Sequence, residues 1–145
     1  MRFFVAAFVL AAVVPASAHH PITPYYDTST LVSVTGVVVE LRATNPHAVL
    51  IVEATAPGSR SGRWAFEGFP PTVLLRQQTD FREKLQQGTR VTISGWAAKD
   101  PAARAVHGRE VTFADGSKML FGSAPEEGDR WSCAPGPCSY KYPEP

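Results

Sequence analysis

Net charge is nearly absent from this chain, with 14 Lys and Arg against 13 Asp and Glu. Arg2 belongs to a leader-like N-terminus, so residues 19–145 carry both signs equally. That balance argues against nucleic acid as a partner, because phosphate neutralisation supplies most of such affinity. It argues equally against anionic membrane surfaces. Cysteine is nearly as scarce: there are two, both inside "CAPGPC" close to the C-terminus. The familiar catalytic signatures are missing. There is no Gly-x-Ser-x-Gly elbow, no His-Glu-x-x-His pair and no Gly-rich phosphate loop. No residue nominates itself for catalysis, and the expectation is a protein that is not an enzyme. Long apolar runs are missing too. The longest, "FFVAAFVLAAVV" (3–14), falls short of the roughly 20 residues that a membrane-spanning helix needs.

What is present begins with that run. Arg2 precedes it, and "ASA" closes it with small residues at the −3 and −1 positions. This is the pattern of a cleavable signal peptide over residues 1–18; the bland alternative is an N-terminal membrane anchor. The expected mature chain is periplasmic or secreted, without membrane insertion after cleavage. Its length suits one domain with one modest core. We divide it into a domain over 19–122 and a Pro/Gly-rich tail over 123–145, expected to be loosely ordered. In an oxidising compartment Cys133 and Cys138 are expected to pair as a local clasp on that tail, with Pro-Gly-Pro making the turn. Two thiolates on a soft metal are the alternative, although further ligands would be lacking.

The domain reads as strands. In "LVSVTGVVVEL" (31–41), Val32 and Val34 share one face, and Val37, Val39 and Leu41 take the opposite phase after Gly36. A phase flip at glycine predicts a bulge or bend there. "AVLIVEAT" (48–55) and "RWAFEGF" (63–69) complete a three-strand meander. Prolines then open "PPTVLLRQQ" in the manner of a helix's first turn. In "DFREKLQQG", Asp80 and Glu83 have capping-box spacing and Gly88 terminates. "RVTISGWAA" (90–98) and "ARAVHGREVTF" (103–113) are further strands, with "ADGSK" turning into a short return strand at 119–121. Three strands, a helical insert, then two strands is the order of an all-β, five-stranded OB-like barrel. Val34, Val39, Leu50, Val52, Trp64, Phe66, Leu74, Val91, Ile93 and Val111 form the expected core.

These pieces together resemble a family of small exported bacterial proteins recorded as a domain of unknown function. The residues that carry the resemblance are His19-His20 after the signal peptide, Asn45-Pro46-His47, Trp64 with Glu67, Leu75-Arg76, Val91 to Gly95, and Val111 to Gly116. The chain departs from the pattern at Ala43-Thr44, where the family usually has an aromatic before Asn-Pro-His. His107 and the cysteine tail also fall outside it. The resemblance implies the OB-like fold and export, and brings no activity with it.

The chemistry that stands out is nitrogen. Cleavage after Ala18 makes His19 the N-terminal residue, whose α-amine and imidazole can chelate one metal ion. A third nitrogen would give the set that Cu(II) favours. His47, beside a rigid Asn-Pro, is the best candidate for it, with His20 adjacent to the chelate. A cut after Ala16 instead leaves Ser-Ala-His, which also suits Cu(II) or Ni(II). The expected metal ligands are therefore His19, His20 and His47, with copper as the expected cofactor. Against this stand a solvated, incidental His-His pair and a His47 that only braces its turn. Glu67, on the face opposite Trp64, and His107, beside Arg109 and Glu110, read as surface polar residues. The competing class is an interaction module that docks onto another envelope protein without metal.

Overall fold

A computed structural model describes residues 22–55, 61–123, 131–132 and 139–140. The β-branched stretches all become strands. β1 (Tyr26–Arg42), β2 (Val49–Ala54) and β3 (Gly62–Glu67) form the antiparallel meander. Two short helices follow, α1 (Pro71–Gln77) and α2 (Phe81–Lys84), and then β4 (Arg90–Ala98), β5 (Ala105–Phe113) and β6 (Lys118–Leu120). The strand order is β3-β2-β1-β4-β5-β6, in a mostly antiparallel six-stranded sheet. One further pairing is parallel: Ala65, Phe66 and Glu67 of β3 lie against Ala105, Val106 and His107 of β5. β5 is thus shared. Its first half pairs with β3, and its second half pairs with β6 through Glu110, Val111 and Thr112.

Alternation along the strands decides what is buried. Leu50, Val52, Phe66, Val91, Ile93, Val106 and Val111 point to one core, which Leu74, Phe81 and Leu85 close from the helical segment. Trp64 joins it at 8 % exposure. Nine of the ten expected core residues lie there; Val39 does not, and Val38 takes its place at 1 %. The inward phase of β1 runs unbroken through Val34, Gly36 and Val38. The slip comes later, between Val38 and Glu40, where Val52 and Ile51 of β2 face them in succession and Val39 is left over. Leu41 then returns to the core side. Gly36 is no bend. A Cβ there would sit 2.1 Å from the carbonyl oxygen of Glu53, so the residue is small because β2 passes close by.

Three other local expectations are corrected. Asp80 stands before α2 but makes no side-chain cap bond. Its backbone (φ −96°, ψ 15°) lacks the extended conformation from which a cap reaches back, and its carboxylate meets Lys84 at 3.5 Å instead. In the tail, β7 (Trp131–Ser132) and β8 (Ser139–Tyr140) pair antiparallel, so part of what the composition marks as loosely ordered has strand form. Gly88 does not end α2, whose C-cap is Leu85; it holds positive φ in the turn from Gln86 to Thr89 that leads into β4, as Gly116 does in the β5–β6 turn. Among the described residues no helix is long and apolar enough to cross a membrane.

Candidate functional site

Glu67 is the centre of the site. Trp64 and Phe66 point into the core, so Ala65 and Glu67 of the same strand point out. The ladder continues past the strand ends: Ala48 N–H donates to Phe69 O at 3.0 Å, and Gly68 N–H donates to Ala48 O at 2.8 Å. Val49 is the ladder partner of Glu67, and these bonds carry the pairing on so that His47, after the cis Asn45–Pro46 peptide, lies diagonally across from it. His47 Nδ1 donates to Glu67 Oε1, and Tyr26 OH donates to the other oxygen, Oε2, at 2.8 Å. Both carboxylate oxygens are therefore engaged from separate segments. The His47 and Glu67 side chains remain 42 % and 36 % exposed, so the pair opens to solvent.

His107 stands beside this pair. It is opposite Glu67 in the β3–β5 ladder and opposite Trp96 in the β4–β5 ladder. Its ring lies 5.6 Å from that of Tyr26, tilted by 52°, and 6.2 Å from that of Trp96, close to parallel at 29°. Nε2–H donates to Ser123 O at 3.0 Å, leaving Nδ1 as the acceptor in the neutral ring. At 8 % exposure His107 is buried, contrary to the surface position expected for it. Glu67 is likewise no free surface carboxylate.

Electrostatics follow from these contacts. Burial pushes the His107 pKa below its ordinary value; the bond to Ser123 and the charge of Glu67 oppose this without overcoming it. Burial also resists ionisation of Glu67, but the bonds from His47 and Tyr26 and the charges of both histidines outweigh it, and the net shift is downward. Tyr26 is pushed up, first by burial and then by the bond to and the charge of Glu67. At neutral pH the site is an ionised carboxylate held between an imidazole and a phenol, with a neutral imidazole against the pair.

A family model described as "Family of unknown function (DUF6152)" matches residues 7–107. The chain belongs to the DUF6152 family. The matched span takes in Tyr26, His47, Glu67 and Trp96 and ends at His107. No curated protein and no solved structure matches the chain.

Of the residues expected as metal ligands, His47 is placed in this DUF6152 site, while His19 and His20 lie outside the described residues. Cys133 and Cys138 lie outside them as well, although β7 and β8 flank the pair directly. Among the described residues no group of three or more His, Cys, Asp or Glu could hold a metal ion. His47 is still built in the manner of a ligating histidine. Its Nδ1 is committed to a carboxylate, which fixes the tautomer and leaves the lone pair on Nε2. Tyr26 and His107 were not expected here. Tyr26 carries no local signal, because its role arises from a contact with a residue far along the chain.

Proposed function

We propose that this chain is a small exported protein that binds a transition-metal ion, Cu(II) foremost, on an OB-like barrel. His47 would contribute Nε2, and His19 would contribute its α-amine and ring after signal cleavage, with His20 beside them. The observation that carries the reading is the hydrogen bond from His47 Nδ1 to Glu67, itself braced by Tyr26. Carboxylate–imidazole pairs of this type orient ligating histidines and raise their basicity. Reach also favours it. Tyr26 touches Glu67, and His20 lies six residues before Tyr26, within about 20 Å of extended chain at ~3.3–3.6 Å per residue. An all-nitrogen donor set suits Cu(II), which also heads the general affinity order. For the fold, β1 pairs with both β2 and β4, β3 pairs with β5, and the helices fall between β3 and β4, an order that supports the OB-like reading.

The test is a copper titration followed by electron paramagnetic resonance on the mature chain, on a form with one extra N-terminal Gly, and on His47→Ala. The extra residue removes the amine–imidazole chelate and should change the spectrum. His47→Ala should weaken binding about tenfold or more, the equivalent of ~1.4 kcal/mol. Equal binding by all three would favour the second reading, a metal-free module docking onto an envelope protein. That reading draws on Tyr25 and Leu31, two large apolar side chains exposed at 71 % and 54 %.

A further inference from the structure

A second feature contains none of the histidines. Val32 and Val34 of β1, Trp64 of β3 and Ala97 and Ala98 of β4 line a cleft of about 370 Å³. That volume suits one small molecule. Two charged residues of the β4–β5 loop, Asp100 and Arg104, complete the lining. They differ in what they are free to do. Asp100 Oδ1 accepts the N–H of Ala102 at 2.9 Å, and the Asp100 carbonyl accepts that of Ala103 at 3.1 Å, so this carboxylate serves its own turn. Among the described residues the Arg104 guanidinium makes one hydrogen bond, from Nη1 to the carbonyl of Ser61 at 2.7 Å. A guanidinium has five N–H donors, and among the described residues no carboxylate pairs with this one.

The backbone is specialised on both sides of that guanidinium. Arg104 has φ +46°, the one positive φ at a non-glycine among the described residues. Such a conformation persists only where its surroundings impose it, and it gathers at ligand clamps. Across from it, Gly62 has φ +105°, and a Cβ there would lie 2.2 Å from Arg104 Nη1. Two unusual backbone positions thus make room for one cationic group at the edge of an apolar cleft.

We propose that this cleft binds a carboxylate-bearing amphiphile, with its apolar body against Val32, Val34 and Trp64 and its anionic head on the Arg104 guanidinium. The apolar lining selects the body, and the fixed fork of donors selects a planar anion over a neutral or cationic head. The cleft shares no lining residue with the site of His47, Glu67, Tyr26 and His107.

The test uses the mature protein and three probes with the same tail: octanoate, octanol and octylammonium. Binding is followed by the nuclear magnetic resonance shifts of the Val32 and Val34 methyls and the Trp64 indole. Octanoate should shift these signals and bind about fivefold or more tighter than the other two, as expected for a hydrogen-bonded charge pair at a partly open site. Arg104→Gln should remove that preference and leave octanol binding unchanged, while Arg104→Lys should keep part of it. Circular dichroism reports whether each variant folds, and the comparison of head groups in the unaltered chain decides the matter without them. Equal binding of the three probes, shifts confined to other residues, or no binding of octanoate would overturn the proposal.

Discussion

At the scale of single residues, Glu67 is the hinge of the site, because its two oxygens hold His47 and Tyr26 at once. If it orients a ligating histidine, Glu67→Gln should lower copper affinity about 10–100-fold, the usual consequence of losing such a partner. Tyr26→Phe should cost much less, since His47 keeps its carboxylate. Competition titration against a chelator measures both, and an unchanged affinity in Glu67→Gln would separate the carboxylate from metal binding. His107 makes a different prediction. Its pKa is lowered on folding, so the unfolded chain takes up its proton first as pH falls. Stability should therefore be full above about 6.5, the ordinary histidine value, and decline as pH drops from there toward the folded value. Glu67, also lowered, adds its own loss only in the carboxylate range further down. Thermal unfolding between pH 7.5 and pH 5 should show the upper decline, and His107→Gln should flatten it. His47 stood out in the sequence through Asn-Pro-His; Glu67 entered only as part of the resemblance and read as a surface residue, because its partners come from other segments. His107 did not stand out, because Arg109 and Glu110 beside it resemble a surface, and its burial depends on Tyr26, Trp96 and Ser123 converging from other elements.

At the scale of elements, strand positions were legible because β-branched residues alternate with the period of a pleat, and β4 falls on the residues expected for it. Register was less so. In "VTGVVVEL" several placements of one extra residue satisfy the same hydrophobic count, and only the pairing with β2 puts it at Val39. Glycine was ambiguous for a related reason, since a bend and a close approach both call for it. Gly36→Ala tells them apart. A methyl group there meets Glu53 O at 2.1 Å and Val52 Cγ1 at 2.7 Å, so the substitution should cost about 1–3 kcal/mol, the range for overpacking. A bend would tolerate alanine with little change. Denaturant unfolding with an unchanged slope would assign the loss to the folded strand pair.

At the scale of the molecule, Phe121 is the last core residue among the described residues. Phe121 is fully buried, its N–H donates to Arg109 O at 2.8 Å, and its carbonyl accepts the Phe69 N–H at 2.7 Å. Removing residues 124–145 should leave a cooperative transition of nearly unchanged stability. Removing residues 121–145 deletes a core aromatic, a change worth about 3–5 kcal/mol out of a typical total of 5–15 kcal/mol. Calorimetry of the two truncations should place them on opposite sides of that divide. A boundary at 122 was read from a change in composition; the anchoring of Gly122 and Ser123 by Arg109 and His107 could not be, because it joins a strand to residues far along the chain.

The sharing of β5 between β3 and β6 also governs how the chain can fold in time. β1 finds β4 only across the whole meander and both helices, with Val34 against Ile93, and β3 meets β5 later still, with Phe66 against Val106. Contacts so far apart must be gathered before they are rewarded, which puts folding in the millisecond-to-second range of non-local β topologies rather than the microseconds of helical bundles. A chain that has not yet delivered β5 has neither closure between β3 and β5 nor a seat for His107. Completion of the histidine site should therefore be a late event of folding, arriving together with β5 rather than before it.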